Sequence, residues 1–498
     1  VVAATVTDST INGADAVTVT ATSELDVDAL SLAGALAAAV SGGKGGTALA
    51  GAGAYSRNII DLTLESSSRR TEHTGKSLLV SSVNTATIDA ETYGVSIAVA
   101  TASDKGAGFS LSVGVSLAKN EIDVSQSSFT EDCVVTTTDG AIAIRAENKS
   151  FIDAVSVAAS IAAAYSESDG PAALSGGGAE AKNRIGGTTN AYAARSTLNS
   201  ASDVTITATN KLSEINASVV AASISAALSD KDAAAISIGA GRTLNVIENE
   251  DGSPIEVRAY LKESPVEAGG ALTVEATTAS EIDSYVLAAS VAFAKGKNAL
   301  GMSGAGTETF NRISTKVEAS ISGDAAGLNQ NTSAQGIRVV AVDASVIEAG
   351  ADVASIAIAL GSKDGDNALS LSVGVTLSEN TIENDVVAVV KNAGHFDAKG
   401  GDITVASRSL GRGEVGSDFD TLEGPISLAV GDTVRVANDY SGGGVGGRVY
   451  AYRGFVPDYT ADTVDFDSTE TAVNVFQGDT VKTGGVIYQY VGDDDNGF

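Results

Sequence analysis

The chain lacks most of the residue types on which enzymes and metal sites depend. Its 498 residues include one cysteine (Cys133), one methionine, two histidines (His73 and His395) and no tryptophan. One cysteine excludes a disulfide framework, and two histidines leave little scope for zinc binding or acid–base catalysis. The sequence has no Gly-x-Ser-x-Gly elbow, no phosphate-binding loop and no Cys/His pair in plausible proximity. It therefore predicts a protein that is not an enzyme.

Basic residues, aromatic residues and long apolar runs are also scarce. Thirty-one Lys and Arg stand against 62 Asp and Glu, giving a net charge of −31. Such a surface repels nucleic acid and anionic membranes. No apolar run approaches the roughly 18 residues that a transmembrane helix needs. Aromatic residues make up 5% of the chain and hydrophobic residues 43%, which predicts a core of small and β-branched side chains.

An internal repeat organises most of the chain. Alternating stretches such as VTVTAT at 17–22 and VTITAT at 204–209 recur, so that six units of about 65 residues begin near residues 17, 78, 142, 204, 272 and 337. A second landmark, Asn-x-Ile, follows about 41 residues after each start. Its asparagines are Asn58, Asn120, Asn183, Asn245, Asn311 and Asn380. Two landmarks that keep the same spacing indicate a repeat protein.

Each unit combines strand-like and turn-like segments. Val, Ile and Leu alternate with Ser, Thr, Gly and Ala, as in FSLSVGVSLAKNEI at 109–122, and polar Gly-rich turns separate these stretches. An acidic or amide residue follows an apolar one early in the unit, as in Leu25-Asp26 and Ile88-Asp89. The Ala-rich segments, such as ASISAALSDK at 222–231, have high helix propensity. Equivalent positions elsewhere hold Val, Ile, Ser and Gly, which favours strands.

These patterns predict an all-β fold, with a β-solenoid (β-helix-like) shaft over residues 1–410. A unit of about 65 residues divides into about three turns, so six units predict about 18 rungs and a rod on the order of 85 Å long. The Asn of each Asn-x-Ile is expected at a tight rung corner, bonded to local backbone. Contact with a ligand or metal once per unit is the alternative. With three rungs per unit, these asparagines lie too far apart for one continuous ladder.

Residues 411–498 are predicted to form a separate, small, aromatic-bearing β module. Two related segments, 430–454 and 477–492, run from a Gly-Asp-Thr-Val strand into a Tyr-x-Tyr strand, which predicts two β-hairpins. Their alternating tyrosines share one face, either as a contact surface for sugar or protein or as the core of a small sheet: Tyr450, Tyr452, Tyr488 and Tyr490. Calcium is the one plausible ion, and its weak candidate ligands are Asp493, Asp494 and Asp495, which alternatively belong to a solvated acidic terminus.

The repeat resembles a known class of protein. The order of alternating strand, Ile-Asp, small-residue segment, Gly-rich turn, Ser/Gly segment and Asn-x-Ile is similar to the repeat region of large bacterial exoproteins of the filamentous-haemagglutinin-like and giant surface-adhesin type. The resemblance covers about residues 1–410 and implies a β-helical shaft. The first residues align with residues 386–406, so the chain is expected to be a segment of a longer polypeptide. The resemblance carries over no catalytic residue.

The resulting hypothesis is a secreted or cell-surface structural or adhesive fibrous protein that assembles into extracellular filaments. Its expected partners are other copies of itself, a host or neighbouring cell surface, or polysaccharide. Two alternatives stay open on the same scaffold. One is a polysaccharide-acting enzyme, and the other is a module that binds polysaccharide or ice through a flat polar face. The pairs Thr18/Thr20 and Thr205/Thr207 are the sequence signal for the ice-binding alternative.

Overall fold

Two units make up the chain in the computed structural model. The first is Val1–Arg408 and the second is Ser409–Phe498; the sequence places this boundary between residues 410 and 411. The structure describes residues 1–410 apart from five short gaps, and six short strands beyond residue 418. The gaps are 43–44, 104–105, 168–169, 325–329 and 364–365.

Two large sheets of parallel, in-register strands form the first unit. Sheet 1 has the order β1-β3-β5-β8-β11-β15-β12, with β18 beside β15. Its strands are β1 (Val2–Thr7), β3 (Gly46–Arg69), β5 (Gly108–Glu131), β8 (Ala172–Ala194), β11 (Asp232–Ile247), β12 (Ile255–Lys262), β15 (Asn298–Ser322) and β18 (Asn367–Lys391). All the pairings given within this sheet are parallel, as a solenoid requires.

Sheet 2 contains the other long strands and a series of short ones. Its long strands are β2 (Thr10–Ser41), β4 (Glu72–Ala102), β7 (Ile142–Ser166), β10 (Val204–Ser229), β14 (Leu272–Gly296), β17 (Ile337–Gly361) and the shorter β20 (Ile403–Leu410). The short strands are β6 (Val134–Thr137), β9 (Thr197–Ser200), β13 (Val266–Ala268), β16 (Asn331–Ser333) and β19 (His395–Asp397). The predicted all-β solenoid is confirmed, and the described residues contain no helix. The Ala-rich segment 222–229 lies in β10.

Each repeat unit makes one turn of the solenoid, whereas the sequence predicts three. The chain runs out along β4, reverses at a polar turn and returns along β5, and the next unit pairs with it in register. The alternation of inward and outward side chains continues through these strands because turn residues occur only between them. The predicted 18 rungs and 85 Å rod are therefore wrong. A strand of 25 residues extends about 80 Å, whereas the stack of coils rises only about 30 Å.

Small side chains fill the thin core between the facing sheets near the polar turns. Buried serines hydrogen-bond across it, with Oγ–Oγ distances of 2.7 Å for Ser96–Ser112 and 2.6 Å for Ser223–Ser237. Alanines pack beside them in two clusters. The core widens at the opposite end of the coil, where valine, leucine and isoleucine side chains replace alanine. The shortage of aromatic residues follows from this thin core.

Glycine allows the two sheets to approach each other closely at one column of sheet 1. A Cβ added to Gly177 would lie 2.5 Å from the carbonyl oxygen of Ala222 on sheet 2. The next coil repeats this arrangement, since a Cβ on Gly239 would lie 2.6 Å from the carbonyl oxygen of Ala289. Gly178 points the other way, and its added Cβ would meet nothing within 4 Å.

A corner with left-handed backbone lies where sheet 1 strands end. The residues there have φ between 47° and 53°: Asp8, Arg70, Asp132, Arg195, Glu263 and Asn392. Opposite charges meet between neighbouring coils, since Arg70 Nε lies 2.6 Å from Asp8 Oδ1 and Arg195 Nε lies 2.8 Å from Asp132 Oδ1. These ion pairs are exposed, so each contributes only about 0–1 kcal/mol. The asparagines of Asn-x-Ile are not at this corner.

Sheet 3 belongs to the second unit and has the order β21-β22-β23-β26-β25-β24. Its strands are β21 (Phe419–Asp420), β22 (Thr433–Arg435), β23 (Val449–Tyr452), β24 (Phe466–Asp467), β25 (Thr480–Thr483) and β26 (Val486–Tyr490). The two Gly-Asp-Thr-Val segments lead into β22 and β25. Each of these strands pairs antiparallel with a Tyr-x-Tyr strand, β23 and β26 respectively.

Candidate functional site

The six asparagines of the Asn-x-Ile landmark form one continuous column inside the solenoid. Each lies within a long strand of sheet 1, and each amide nitrogen donates to the amide oxygen of the next asparagine at 2.8–2.9 Å. The members are separated by 62 to 69 residues, which is one coil. The structure corrects the expected corner position and the expected lack of a ladder, because one turn per unit brings the asparagines into register. The column consists of Asn58, Asn120, Asn183, Asn245, Asn311 and Asn380.

A second polar column on sheet 2 was not predicted. Asn84 donates to Asn148 at 2.8 Å, Asn148 donates to Asn210 at 3.1 Å, and Asn210 donates to Thr278 Oγ1 at 3.1 Å. All four side chains are buried. The signal in the sequence was the polar residue directly after each alternating stretch, as in LLVSSVN and VTITATN. The two columns pair buried polar groups along both sheets, which fixes the register of the coils. At the start of the second column Asn84 Oδ1 is buried without a hydrogen-bond partner.

A buried serine joins the cysteine to one of the histidines. Ser68 Oγ lies 2.7 Å from His73 Nε2 and 3.5 Å from Cys133 Sγ. No sequence pattern indicated that His73 lies near Cys133, but their separation is close to the length of one coil, which brings them together. All three side chains are at most 2% exposed, so a substrate has no access to a nucleophile here. Because burial lowers the pKa of His73, the histidine is held neutral in this apolar part of the core.

Acid is expected to destabilise the protein through His73. Because the pKa of His73 is lowered in the folded protein, the unfolded chain binds a proton below about pH 6.5 while the folded chain stays unprotonated at this site. The contribution of the neutral histidine to stability is therefore fully present above that pH and is lost as the pH falls below it. Relative to His73→Val, which matches Val135 in the next coil, the wild type should lose up to about 1.4 kcal/mol per pH unit between about pH 6.5 and 5. Urea unfolding at several pH values measures this difference. His395→Val, at an exposed site, is the control, and identical pH dependence of the wild type and His73→Val would contradict the prediction.

Three aromatic rings stack along the outer surface of sheet 1. Phe129, Tyr192 and Tyr260 have ring centroids 4.6 Å apart and interplanar angles of 2° and 3°. The Arg69 guanidinium lies 4.6 Å from the centroid of Phe129, in cation–π contact. Partial burial raises the pKa of both tyrosines, so they stay protonated at neutral pH. Asn190 and Arg258 lie beside the rings and hydrogen-bond to each other at 3.1 Å.

An acidic column lies on the outer face of sheet 2. Its members are the acidic or amide residues that follow an apolar residue early in each unit, and they are aligned across neighbouring strands: Asp28, Asp89, Asp153, Asn216, Asp283 and Glu348. In the first coil the matching pair is Val27-Asp28, which corrects the expected Leu25-Asp26. Desolvation, and then the charges of neighbouring carboxylates, raise the pKa values of Asp89 and Asp153. The preceding isoleucines point inward, and Ile88, Ile152, Ile215 and Ile282 are fully buried while Ile347 in the last coil is partly buried, which explains the Ile-Asp pattern.

A shallow apolar groove of about 450 Å³ crosses the outer face of sheet 1. Gly178, Ala240 and Gly306 are part of its lining, and the valines of flanking coils border it. Arg242, also in the lining, lies 3.6 Å from Glu180 and 3.0 Å from Glu308. Because carboxylates neutralise this cation on both sides, the groove is not suited to an anionic ligand.

The remaining predicted site residues belong to the second unit. The backbone register pairs Tyr450 with Tyr490 and Tyr452 with Tyr488 across β23 and β26. The calcium candidates Asp493, Asp494 and Asp495 lie outside the described residues. Within the described part of the chain, no three His, Cys, Asp or Glu side chains are grouped to hold a metal ion. No helix in that part is long and apolar enough to cross a membrane.

The comparisons with known proteins give no relative. No protein-family model, no curated protein and no solved structure matches this chain.

Proposed function

We propose that the chain is a secreted or cell-surface structural protein of the adhesive, fibrous type and a segment of a larger bacterial exoprotein. The observation that supports this most directly is the unbroken asparagine column, in which five consecutive hydrogen bonds join six coils. A continuous column of hydrogen-bonded asparagines, buried in all but the last coil, holds the coils in one register and makes the stack stiff. A stiff scaffold suits a protein that presents surfaces rather than one that carries out chemistry.

The distribution of charge supports the same function. The outer face of sheet 2 carries the acidic column, and the chain as a whole has a charge of −31. Such charge keeps a repetitive β protein soluble by mutual repulsion. The extracellular location in this proposal rests on the resemblance of the repeat to those of large bacterial exoproteins.

Surface labelling of intact cells tests this function. Bacteria that produce the full-length parent protein are treated with a protease that cannot enter cells, and the chain is followed with an antibody against the 1–408 unit. We expect cleavage on intact cells, or recovery from the medium, and weaker attachment of cells to a surface when the protein is deleted. Full protection in intact cells, with a cytoplasmic marker equally protected, would reject the extracellular function.

A polysaccharide-binding module is the second candidate, and the stacked aromatic column favours it. Aromatic rings next to hydrogen-bonding side chains such as Asn190 and Arg258 suit contact with sugars. The ice-binding alternative has no comparable support. Thr18 and Thr20 of β2 align with Leu79 and Ser81 of β4, and those align with Ala143 and Arg145 of β7, so the threonines form no regular array.

Affinity electrophoresis in gels that contain bacterial exopolysaccharides tests the second candidate. Tyr260→Ala is expected to weaken retention about tenfold, a loss of about 1.4 kcal/mol, because it removes one end of the ring stack. Tyr260→Phe keeps the ring and should retain binding. Tyr165→Ala, at an exposed tyrosine of sheet 2, is the matched control. Absence of retention for the wild type on every polysaccharide would rule out this candidate, and release of reducing ends would instead indicate the enzyme alternative.

A further inference from the structure

The outer face of sheet 2 carries an apolar surface next to the polar turns. We call it the tip face and define it as the outward side chains of residues 32–38, 93–99, 157–163, 220–226, 287–293 and 352–358. Each of six long strands contributes four side chains, among which Asp352 is the one charged residue. Leu36 is 75% exposed, and even in the middle of the sheet Ile161 and Ile224 are 39% and 44% exposed. Nothing in the described residues of this unit covers the face.

Large and small side chains occupy alternate columns of the tip face. One column is a ridge of Leu36, Ile97, Ile161, Ile224, Val291 and Ile356. The neighbouring column is shallower and consists of Gly34, Val95, Ala159, Ala222, Ala289 and Ala354. The two outermost columns repeat this contrast in the first four coils, with Leu32, Tyr93, Val157 and Val220 on one side and Ala38, Val99, Ala163 and Ala226 on the other. The fifth and sixth coils differ, because they have Leu287 with Phe293 and Asp352 with Ile358.

From this arrangement we infer that the tip face binds the tip face of a second copy of the chain. A rotation of 180° about an axis parallel to the columns, midway between the ridge and the small-residue column, brings each ridge opposite the partner's small-residue column. In the first four coils it also brings the outermost large column opposite the outermost small one. The face is thus complementary to itself, as a two-fold interface requires, and two sheets pack in this way at about 10 Å.

The area of the tip face is sufficient for a stable dimer. Six strands about 4.8 Å apart and four columns about 6.7 Å apart cover about 800 Å². This is about the area that each partner contributes to a standard protein interface. Contiguous apolar patches of this size are rare on monomeric soluble proteins.

Charge bears on the identity of the partner and on its orientation. The acidic column lies on the same outer face, with one column between it and the tip face. The tip face contains no Lys or Arg, whereas a membrane-binding face normally carries basic residues. In the proposed rotation the acidic column lies beside the partner's polar turns, where Asp283 lies opposite Lys297 and Asp153 lies opposite Glu167. Rotation about an axis along the strands would instead place the two acidic columns against each other, which like-charge repulsion disfavours. This inference deepens the proposed structural function by naming one contact through which copies assemble.

Sedimentation of the full chain at micromolar concentration tests the inference. We expect a dimer for the wild type and a monomer for the double variant Ile161→Lys/Ile224→Lys, with affinity weakened about 100-fold or more because the charges would be buried without partners. The matched control is Ala143→Lys/Thr207→Lys, which changes outward residues of the same two strands outside the tip face, and it should remain a dimer. Circular dichroism checks that each variant keeps its strands. A monomeric wild type, or a dimeric Ile161→Lys/Ile224→Lys variant with intact strands, would overturn the inference.

Cross-linking tests the orientation, and vesicles test the competing occupant. In the proposed dimer Ala222 of one copy faces Ile224 of the other across about 10 Å, which is too far for a disulfide, so a short bismaleimide should cross-link a mixture of Ala222→Cys and Ile224→Cys chains faster than either variant alone. Preferential pairing within one variant would overturn the proposed geometry. Wild-type monomers that sediment with phosphatidylcholine vesicles, and lose this property in Ile161→Lys/Ile224→Lys, would show that lipid covers the face instead. Loss of the dimer would leave the surface-labelling result unchanged, so the two proposals fail separately.

Discussion

Replacing Asn183 with leucine is expected to lower the free energy of unfolding by about 2–5 kcal/mol. Asn183 is 2% exposed, accepts a hydrogen bond from Asn120 at 2.9 Å and donates one to Asn245 at 2.8 Å. Leucine makes neither bond, so it leaves a donor on one neighbour and an acceptor on the other buried without partners. Each unmade bond of a buried group costs about 1–3 kcal/mol. Urea unfolding followed by circular dichroism measures the loss.

The same substitution at the end of the column is the matched control. Asn380 is exposed and is bonded to one asparagine of the column, Asn311. Asn380→Leu should therefore cost about 1 kcal/mol or less. Similar losses for Asn183→Leu and Asn380→Leu would contradict the view that the continuous column, rather than strand pairing alone, holds the coils in register.

Gly177→Val is expected to destabilise the first unit by about 3 kcal/mol. A side chain at this position must displace the backbone carbonyl of Ala222, which lies 2.5 Å from the added Cβ. Sheet 2 cannot move at one residue alone because its strands are paired in register over their length, and so the strain spreads to neighbouring coils. Thermal unfolding measures the loss, which should show as a lower melting temperature.

The adjacent glycine provides a control with the same change of side chain. Gly178 points outward, and a Cβ there meets no atom within 4 Å. Gly178→Val should leave stability unchanged or raise it by about 0.5–1 kcal/mol, because valine favours strands and restricts the unfolded chain. If both variants lost the same stability, close approach of the sheets would not be the reason for glycine at position 177.

The strands and the repeat could be predicted from the sequence, but the number of turns per unit could not. Alternation of small and β-branched residues specifies a strand wherever it occurs, and it specified even the Ala-rich segment 222–229. It does not specify how far a strand runs before the chain reverses. The polar turns contained that information, since one such turn separates β4 from β5 and none interrupts either strand. Division into turns of about 21 residues had no corresponding signal in the sequence.

The composition of the columns could be predicted only in part for the same reason. Asn-x-Ile was recognisable by its spacing, but whether its members touch depends on the length of the coil. The contact between Ser68 and Cys133 spans 65 residues, so it follows only once that length is known. The aromatic column has a weaker signal in the sequence, because its members are not all the same residue type and occupy only three coils. They are Phe129, Tyr192 and Tyr260. No sequence motif indicated the tip face, because alternation predicts that a strand has two faces but does not show that both of them are apolar.

The hydrogen bonds of the asparagine column all point in one direction along the chain. From Asn58 to Asn311 each amide nitrogen donates to the following coil, and the shorter column from Asn84 to Thr278 has the same direction. The amide dipoles therefore add, and every coil presents an acceptor to the coil before it and a donor to the coil after it. One coil can therefore take the place of another in the column without leaving a donor or an acceptor unpaired. Loss or duplication of one whole coil leaves every donor facing an acceptor, so the length of the array can change during evolution without a new core.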